Sequence, residues 1–277
     1  MNANLSTKTP TTHAPTTHAP TTHVPTTHAP ITLVTGGSRG LGRSMALHLA
    51  EQGHDVILTF RREAAEAQAV VAAIQAQGQR AAALALDVGD TAGFPAFVDA
   101  VRATLGQWQR ERLDSLVNNA GMGVHATIAD TTEAQFDALM NVHLKGPFFL
   151  TQALSSLIAD GGRIVNISTG LTRFAIPGYA AYAAMKGAIE VLTRYQAKEF
   201  GARGIAVNTI APGAIETDFD DGMVRDNAQL NSFLAAQTAL GRVGRADDIG
   251  GVVASLLAPA NRWINAQRIE ASGGMFL

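Results

Sequence analysis

From Ile31 to the C-terminus, short apolar runs alternate with longer helical stretches, and several runs are rich in Val, Ile and Leu with no polar residue in alternation. A strand that is apolar on both sides has to be covered on both faces, which is the condition of a parallel sheet flanked by helices. Strand candidates are 31–35, 55–60, 81–86, 114–118, 162–168, 204–210 and 265–270. Helices are expected near 41–53, 63–78, 91–105, 133–159, 178–202, 220–238 and 246–258. Alternation without a break in composition predicts one doubly wound α/β domain over 31–277, a parallel seven-stranded sheet with helices on both faces.

Ahead of that domain, residues 11–30 repeat the pentapeptide Thr-Thr-His-Ala-Pro, with one copy carrying Val for Ala. A proline in every repeat forbids continuous helix and interrupts a sheet ladder, and threonine and alanine offer little to bury. Residues 1–30 are therefore expected to be a disordered low-complexity tail. His13, His18, His23 and His28 suggest metal capture, but no rigid scaffold fixes their geometry, so no metal site is assigned.

Composition narrows the function classes. Charged residues are 16% of the chain and the formal net charge is -2, with no basic stripe, so nucleic acid is not an expected partner. The absence of cysteine excludes thiolate metal sites and a cysteine nucleophile. No apolar run approaches the roughly 20 residues that span a bilayer, and the N-terminus lacks the apolar core of a secretory signal. The expectation is a soluble, cytoplasmic protein.

The first strand runs into Thr35-Gly36-Gly37-Ser38-Arg39-Gly40-Leu41-Gly42 and then a helix. Glycines allow a tight turn and close backbone approach to a pyrophosphate, while the helix directs its positive end at the phosphates. Thr35, Gly36, Ser38, Arg39, Gly40, Leu41 and Gly42 are thus candidate dinucleotide contacts. At the end of the second strand, where a carboxylate would bind the ribose hydroxyls of NAD, stand Phe60, Arg61 and Arg62, with no acidic residue until Glu63. Guanidinium groups suit a 2′-phosphate, so NADPH is favoured over NADH, with Arg61, Arg62 and Arg39 as the cations. Asp87 and Val88, after the third strand, are placed to touch adenine, and Asn119, Ala120 and Gly121 close the fourth strand on the cofactor side.

Tyr182 and Lys186 stand four apart in a helical run, a spacing that puts both side chains on one face. A phenol with a pKa of about 10 is a poor acid or base at neutral pH. A neighbouring ammonium is expected to stabilise the phenolate and bring the pKa toward the working range.

Taken together and in this order, Thr35-Gly36, Gly40 and Gly42, Asn118-Asn119-Ala120-Gly121, the Tyr182/Lys186 pair and Pro212-Gly213-Ala214-Ile215-Glu216-Thr217 resemble the short-chain dehydrogenase/reductase family across almost all of residues 31–277. The resemblance implies a Rossmann-type domain in which Tyr182 protonates a carbonyl oxygen and Lys186 lowers the tyrosine pKa and binds the nicotinamide ribose. It implies that Asn141 holds a proton-relay water through a local helix distortion. Pro212, Gly213, Ile215 and Thr217 would hold the nicotinamide carboxamide. The family's serine, thirteen residues before the tyrosine, falls on Thr169 here. Threonine offers the same hydroxyl, and Thr169 is preferred to Ser168 because neighbours on a strand face opposite ways. Tyr179 has Ala183, not lysine, four residues on and is expected to line the substrate pocket.

The function implied is an NADPH-dependent carbonyl reductase acting on a small-molecule ketone or aldehyde, with a homotetramer or homodimer formed through 133–159 and 178–202. A 3-oxoacyl-acyl-carrier-protein reductase is the alternative, weakened by Ile158-Ala159-Asp160-Gly161-Gly162 where those enzymes carry a basic residue. An enoyl reductase would space tyrosine and lysine seven apart, and a non-catalytic NADPH sensor would commonly lose one of them. In the lid, Phe219, Met223, Leu230, Phe233 and Leu234 suit either a hydrophobic substrate or packing on the domain itself, and Leu171, Phe174 and Ile176 are expected to form another wall.

Overall fold

The computed structural model describes residues 28–277. His13, His18 and His23 and most of the pentapeptide repeats lie outside the described residues. In chain order come β1 (Ile31–Val34), α1 (Gly40–Glu51), β2 (Asp55–Phe60), α2 (Ala64–Ala76), β3 (Ala81–Ala85), α3 (Phe94–Gln107) and β4 (Leu113–Asn118). Then follow α4 (Glu133–Met140), α5 (Gly146–Leu154), β5 (Ile158–Ile167), α6 (Ala180–Phe200), β6 (Ala206–Pro212) and β7 (Ile215–Glu216). The chain closes with α7 (Met223–Asp226), α8 (Ala228–Ala236), β8 (Gly244–Arg245), α9 (Ala246–Leu257) and β9 (Arg268–Ala271).

Seven strands form one parallel sheet in the order β3-β2-β1-β4-β5-β6-β9. Successive side chains along a strand face opposite sides, so each apolar strand feeds two cores. Leu33, Ile57, Leu116 and Ile164 pack with Phe97, Val101 and Leu150 of α3 and α5. Val34, Leu58, Val117 and Val165 pack with Met45, Ile74 and Val253 of α1, α2 and α9. Each such side chain, fully removed from water, contributes about 1.5–3 kcal/mol. Strand order reverses between β1 and β4, and the crevice at that reversal, above the carboxyl ends of the strands, is where open α/β sheets bind ligands.

The run expected as one helix over 133–159 is broken. α4 ends at Met140, a π turn covers Asn141–Lys145, and α5 starts at Gly146. Pro147 has no N–H for the helical bond to residue 143, and the Gly146 amide bonds instead to the Asn141 carbonyl, one residue further back. Close packing fixes the turn, since a Cβ on Gly146 would stand 2.2 Å from the Val88 carbonyl oxygen. Residues 158 and 159 belong to β5, where Ile158 pairs with Leu113. Arg203, hydrogen-bonded to the Ser155 carbonyl at 2.8 Å and to Asp160 at 2.8 Å, holds that strand start to the end of α6.

The expected helix over 220–238 is also divided. Asp220 and Asp221, both at φ 54, and Gly222 at φ 74 precede α7. Asn227 then caps α8 by accepting from the Leu230 amide at 2.9 Å. The short parallel pair β7–β8 had no signal in the sequence, because two residues per strand are too few to show a period. No helix among the described residues is long and apolar enough to cross a membrane.

Candidate active site

A cleft of about 650 Å³ opens above the carboxyl ends of the strands. Its inner end is the glycine loop. Gly36 adopts φ +66, a conformation that side chains disfavour, and a Cβ on Gly42 would lie 2.1 Å from the Gly36 carbonyl oxygen. Thr35 sits just beneath the cleft wall and ties β1 to β4. Its hydroxyl accepts from the amides of Asn119 and Ala120 at 2.9 and 3.0 Å. Asn119 completes the tie by donating through Nδ2 to the Thr35 and Gly36 carbonyls at 2.8 and 3.2 Å.

Several features fit this end of the cleft to a phosphate-bearing ligand. Arg39 occupies the N-cap of α1, and no side chain caps that helix, so its first amides stay open to the cleft. Arg39, Arg61 and Arg62 are exposed on the cleft wall, and none of the three enters an ion pair among the described residues. Ser38, Gly40, Leu41, Asp87, Val88, Ala120 and Gly121 line the same groove, with Pro212, Gly213, Ile215 and Thr217 across from them.

At the centre, Thr169, Tyr182 and Lys186 come together from the end of β5 and the first turns of α6, and they are only 8%, 7% and 5% exposed. The Lys186 amine donates to the Ile167 carbonyl at 2.7 Å and lies 5.7 Å from the centre of the Tyr182 ring. Ser168 turns away, its hydroxyl donating to Glu190 at 2.8 Å. Thr169 takes the side facing the phenol and hydrogen-bonds to it.

The electrostatics depart from the expected pull of the ammonium on the phenol. Burial is the largest influence on Tyr182 and raises its pKa, and the Thr169 hydrogen bond opposes this only in part. Burial also lowers Lys186 to about 7. A dry site disfavours both charges, so the resting pair is held toward protonated phenol and neutral amine.

Asn141 opens the π turn but does not reach the cleft wall, whereas His143, two residues on, lines it. The His143 ring stands edge to face with Tyr182, centroids 5.1 Å apart at 88°. Its Nε2 lies 2.8 Å from the Met122 carbonyl oxygen. Burial, and then the Lys186 charge, push its pKa well down. Sequence reasoning passed over His143 because a lone histidine on an apolar helix carries no partner signal.

The outer end of the cleft is lined by Leu171, Phe174, Ile176, Phe219, Met223, Leu230 and Leu234, while Phe233 lies off the wall and is exposed. Tyr179 joins this end and donates to Asp220 at 2.7 Å, tying the lid to the start of α6. His125, packed edge-on against Tyr179 at 5.0 Å, was not foreseen.

A family model described as enoyl-(acyl carrier protein) reductase matches residues 36–276. The chain is 34% identical to a relative from Arabidopsis thaliana named NADPH-dependent aldehyde reductase-like protein, over 88% of this chain and 93% of the relative. It is 35% identical to a 3-oxoacyl-acyl-carrier-protein reductase from Staphylococcus aureus, over 88% of this chain and 97% of that one. The solved structure of angucycline C-6 ketoreductase LanV with bound NADP superposes with a TM-score of 0.85 at 33% identity, covering 89% of this chain and 95% of that chain.

Proposed function

The chain belongs to the short-chain dehydrogenase/reductase family, and from that premise we propose that it reduces a ketone or aldehyde with NADPH, Tyr182 acting as general acid. The observation that carries this reading is the convergence of Thr169, Tyr182 and Lys186 on one buried wall, in the same cleft as a helix start without a side-chain cap and three guanidiniums that enter no ion pair among the described residues. The nicotinamide, when bound, supplies hydride to the carbonyl carbon.

The protein's own part is to bind and protonate oxygen. Thr169 and Tyr182 hydroxyls donate to the carbonyl oxygen as negative charge develops on it, in a site whose walls exclude water. Burial keeps the phenol protonated at neutral pH, which is the form needed to give a proton to the nascent alkoxide. Lys186, fixed on the Ile167 carbonyl, holds its face of α6 toward the ribose side of the cleft. The preference for NADPH over NADH rests on Arg39, Arg61 and Arg62, and the NADP-bound and NADPH-dependent relatives support it.

Carbonyl rather than enoyl reduction is supported by the four-residue spacing of Tyr182 and Lys186 and by relatives named as ketone and aldehyde reductases. A 3-oxoacyl thioester is the second candidate, on the strength of the Staphylococcus aureus relative. Against a carrier-bound substrate, Arg203 is already engaged by Asp160 and two carbonyl groups. Exposed Phe148 and Phe149 on α5, and Val191 and Tyr195 on α6, support a homotetramer or homodimer assembled through these helices. A cytoplasmic, small-molecule enzyme completes the reading.

The test is NADPH oxidation across aromatic ketones, aldehydes and a 3-oxoacyl thioester. Turnover of ketones, with Arg61→Ala raising KM for NADPH about tenfold and leaving KM for NADH unchanged, is the expected result. Absence of turnover with every substrate, despite tight NADPH binding, would favour a sensor.

A further inference from the structure

We propose that the lid carboxylate of Asp220, held in place by Tyr179, selects aromatic ketones that carry a hydroxyl on the part of the ring remote from the carbonyl. The inference deepens the reductase reading above and rests on it.

The walls give the first half of the substrate. The Phe219 ring lies 5.7 Å from the Tyr182 ring, tilted by 53°, and Phe174, Tyr179 and His125 line the same end of the cleft. Flat conjugated rings pack on such walls in offset or edge-on contact, which favours an aryl ketone over its saturated counterpart.

Asp220 sets a charge into this aromatic lining, and it is half-buried. Its Oδ2 accepts from the Tyr179 hydroxyl at 2.7 Å. Its Oδ1 has no hydrogen-bond partner among the described residues, and it is not sealed from solvent, so one acceptor stays open. A Cβ on Gly123 would stand 2.9 Å from that oxygen, and only glycine there leaves it uncovered. No cation offsets the charge: Asp220 enters no ion pair among the described residues, and Arg225, the guanidinium of the lid, is taken by Asp218 and Asp226. The Asp220 charge also acts on the Tyr182 phenol, raising its pKa alongside burial, so carboxylate and proton donor share one reach of the cleft.

The contact already made on Oδ2 shows which group fits Oδ1. A hydroxyl that donates to a carboxylate makes a charge-assisted hydrogen bond, stronger than one between neutral groups. A substrate carboxylate would instead meet a like charge in a site poor in water. An ammonium would be attracted, but it would leave its hydration among phenyl rings. A hydroxyl next to the carbonyl is bonded internally to the carbonyl oxygen and has no proton to offer Asp220. The class that remains is a neutral aryl ketone with a remote hydroxyl.

The experiment compares wild type with Asp220→Ala, Asp220→Asn and Tyr179→Phe, using NADPH and α-tetralone with four ring derivatives: a remote hydroxyl, an adjacent hydroxyl, a remote carboxylate and a remote aminomethyl group. The readout is kcat/KM of each derivative relative to α-tetralone. In wild type the remote hydroxyl should gain about tenfold or more, the adjacent hydroxyl should gain nothing, and the carboxylate should lose about tenfold. Asp220→Ala should erase both the gain and the loss. Asp220→Asn, an uncharged acceptor, should keep part of the gain and erase the loss, a split that a merely structural role would not produce. Tyr179→Phe, by releasing the carboxylate, should lower the gain about threefold or more. Saturated α-decalone should be a poorer substrate than α-tetralone.

Equal ratios in wild type and Asp220→Ala would overturn the proposal. So would a wild-type preference for the carboxylate or the amine over the remote hydroxyl, or for α-decalone over α-tetralone. If Asp220→Ala does not fold, Asp220→Asn decides. A wild type that reduces no ketone contradicts the reductase reading instead, and calorimetry on the NADP-loaded protein then tests the carboxylate by itself. Naphthol binding that Asp220 substitution weakens about tenfold supports the assignment, and naphthol binding that is absent or indifferent to the substitution overturns it.

Discussion

Lys186 is buried against the Ile167 carbonyl, and its lowered pKa ties stability to pH. Between pH 7 and the ordinary amine value of 10.5, the unfolded chain holds a proton on this group that the folded chain lacks. Stability contributed here therefore rises with pH through that window, by up to about 1.4 kcal/mol per unit, and the penalty is fullest below pH 7. Denaturant melts should show Lys186→Met losing its advantage over wild type as pH climbs from 7 to 10. A constant difference would mean that the amine stays charged. His143 carries the same sign in a more acidic window. Because burial keeps its pKa well below 6.5, stability is lost as pH falls below that value, and the loss should vanish in His143→Asn. At Thr169 the hydroxyl itself is at stake: Thr169→Ala should lower kcat by about 10²–10³, whereas Thr169→Ser should keep most of it, measured at saturating NADPH.

Among the elements, the π turn matters most for the site, because it turns His143 toward α6. Gly146→Ala would drive a Cβ to 2.2 Å from the Val88 oxygen and 2.9 Å from the Asn141 oxygen. A loss of about 3 kcal/mol or more in urea melts, together with weakened activity, is the expected outcome. Unchanged melts would show that the turn relaxes freely. The long helices and the central strands were legible in the sequence, since Val, Ile and Leu runs and alanine-rich stretches have distinct periods. A local helix distortion at Asn141 was legible only through the family resemblance, the break at Gly146-Pro147 was not foreseen, and the start of β5 at Ile158 was hidden by helix-forming neighbours. What decides both is tertiary contact: the Val88 carbonyl in one case, Arg203 in the other.

For the whole molecule, the parallel sheet places the ends of β1, β4, β5 and β6 side by side, so residues far apart in the chain line one cleft. Residue order and spacing pointed to the glycine loop and the Tyr182/Lys186 pair, and the family resemblance added Thr169; each sits at the carboxyl end of a strand or in the first turns of the following helix. That was not enough for His143 or His125, whose place depends on how the π turn packs on Tyr182 and how the loop after β4 packs on Tyr179. The buried chain from Asn118 through Asn166 to Thr193 and Gln196, with bonds of 2.8 to 2.9 Å, likewise joins β4, β5 and α6 without any local signal. The account as a whole stands on the phenol of Tyr182 as proton donor beside a bound NADPH. Its most direct test is Tyr182→Phe, assayed for NADPH-dependent ketone reduction and, in parallel, for NADPH affinity. Loss of about 10³-fold or more in kcat with affinity unchanged is predicted. Reduction at the wild-type rate by the Phe variant would contradict it.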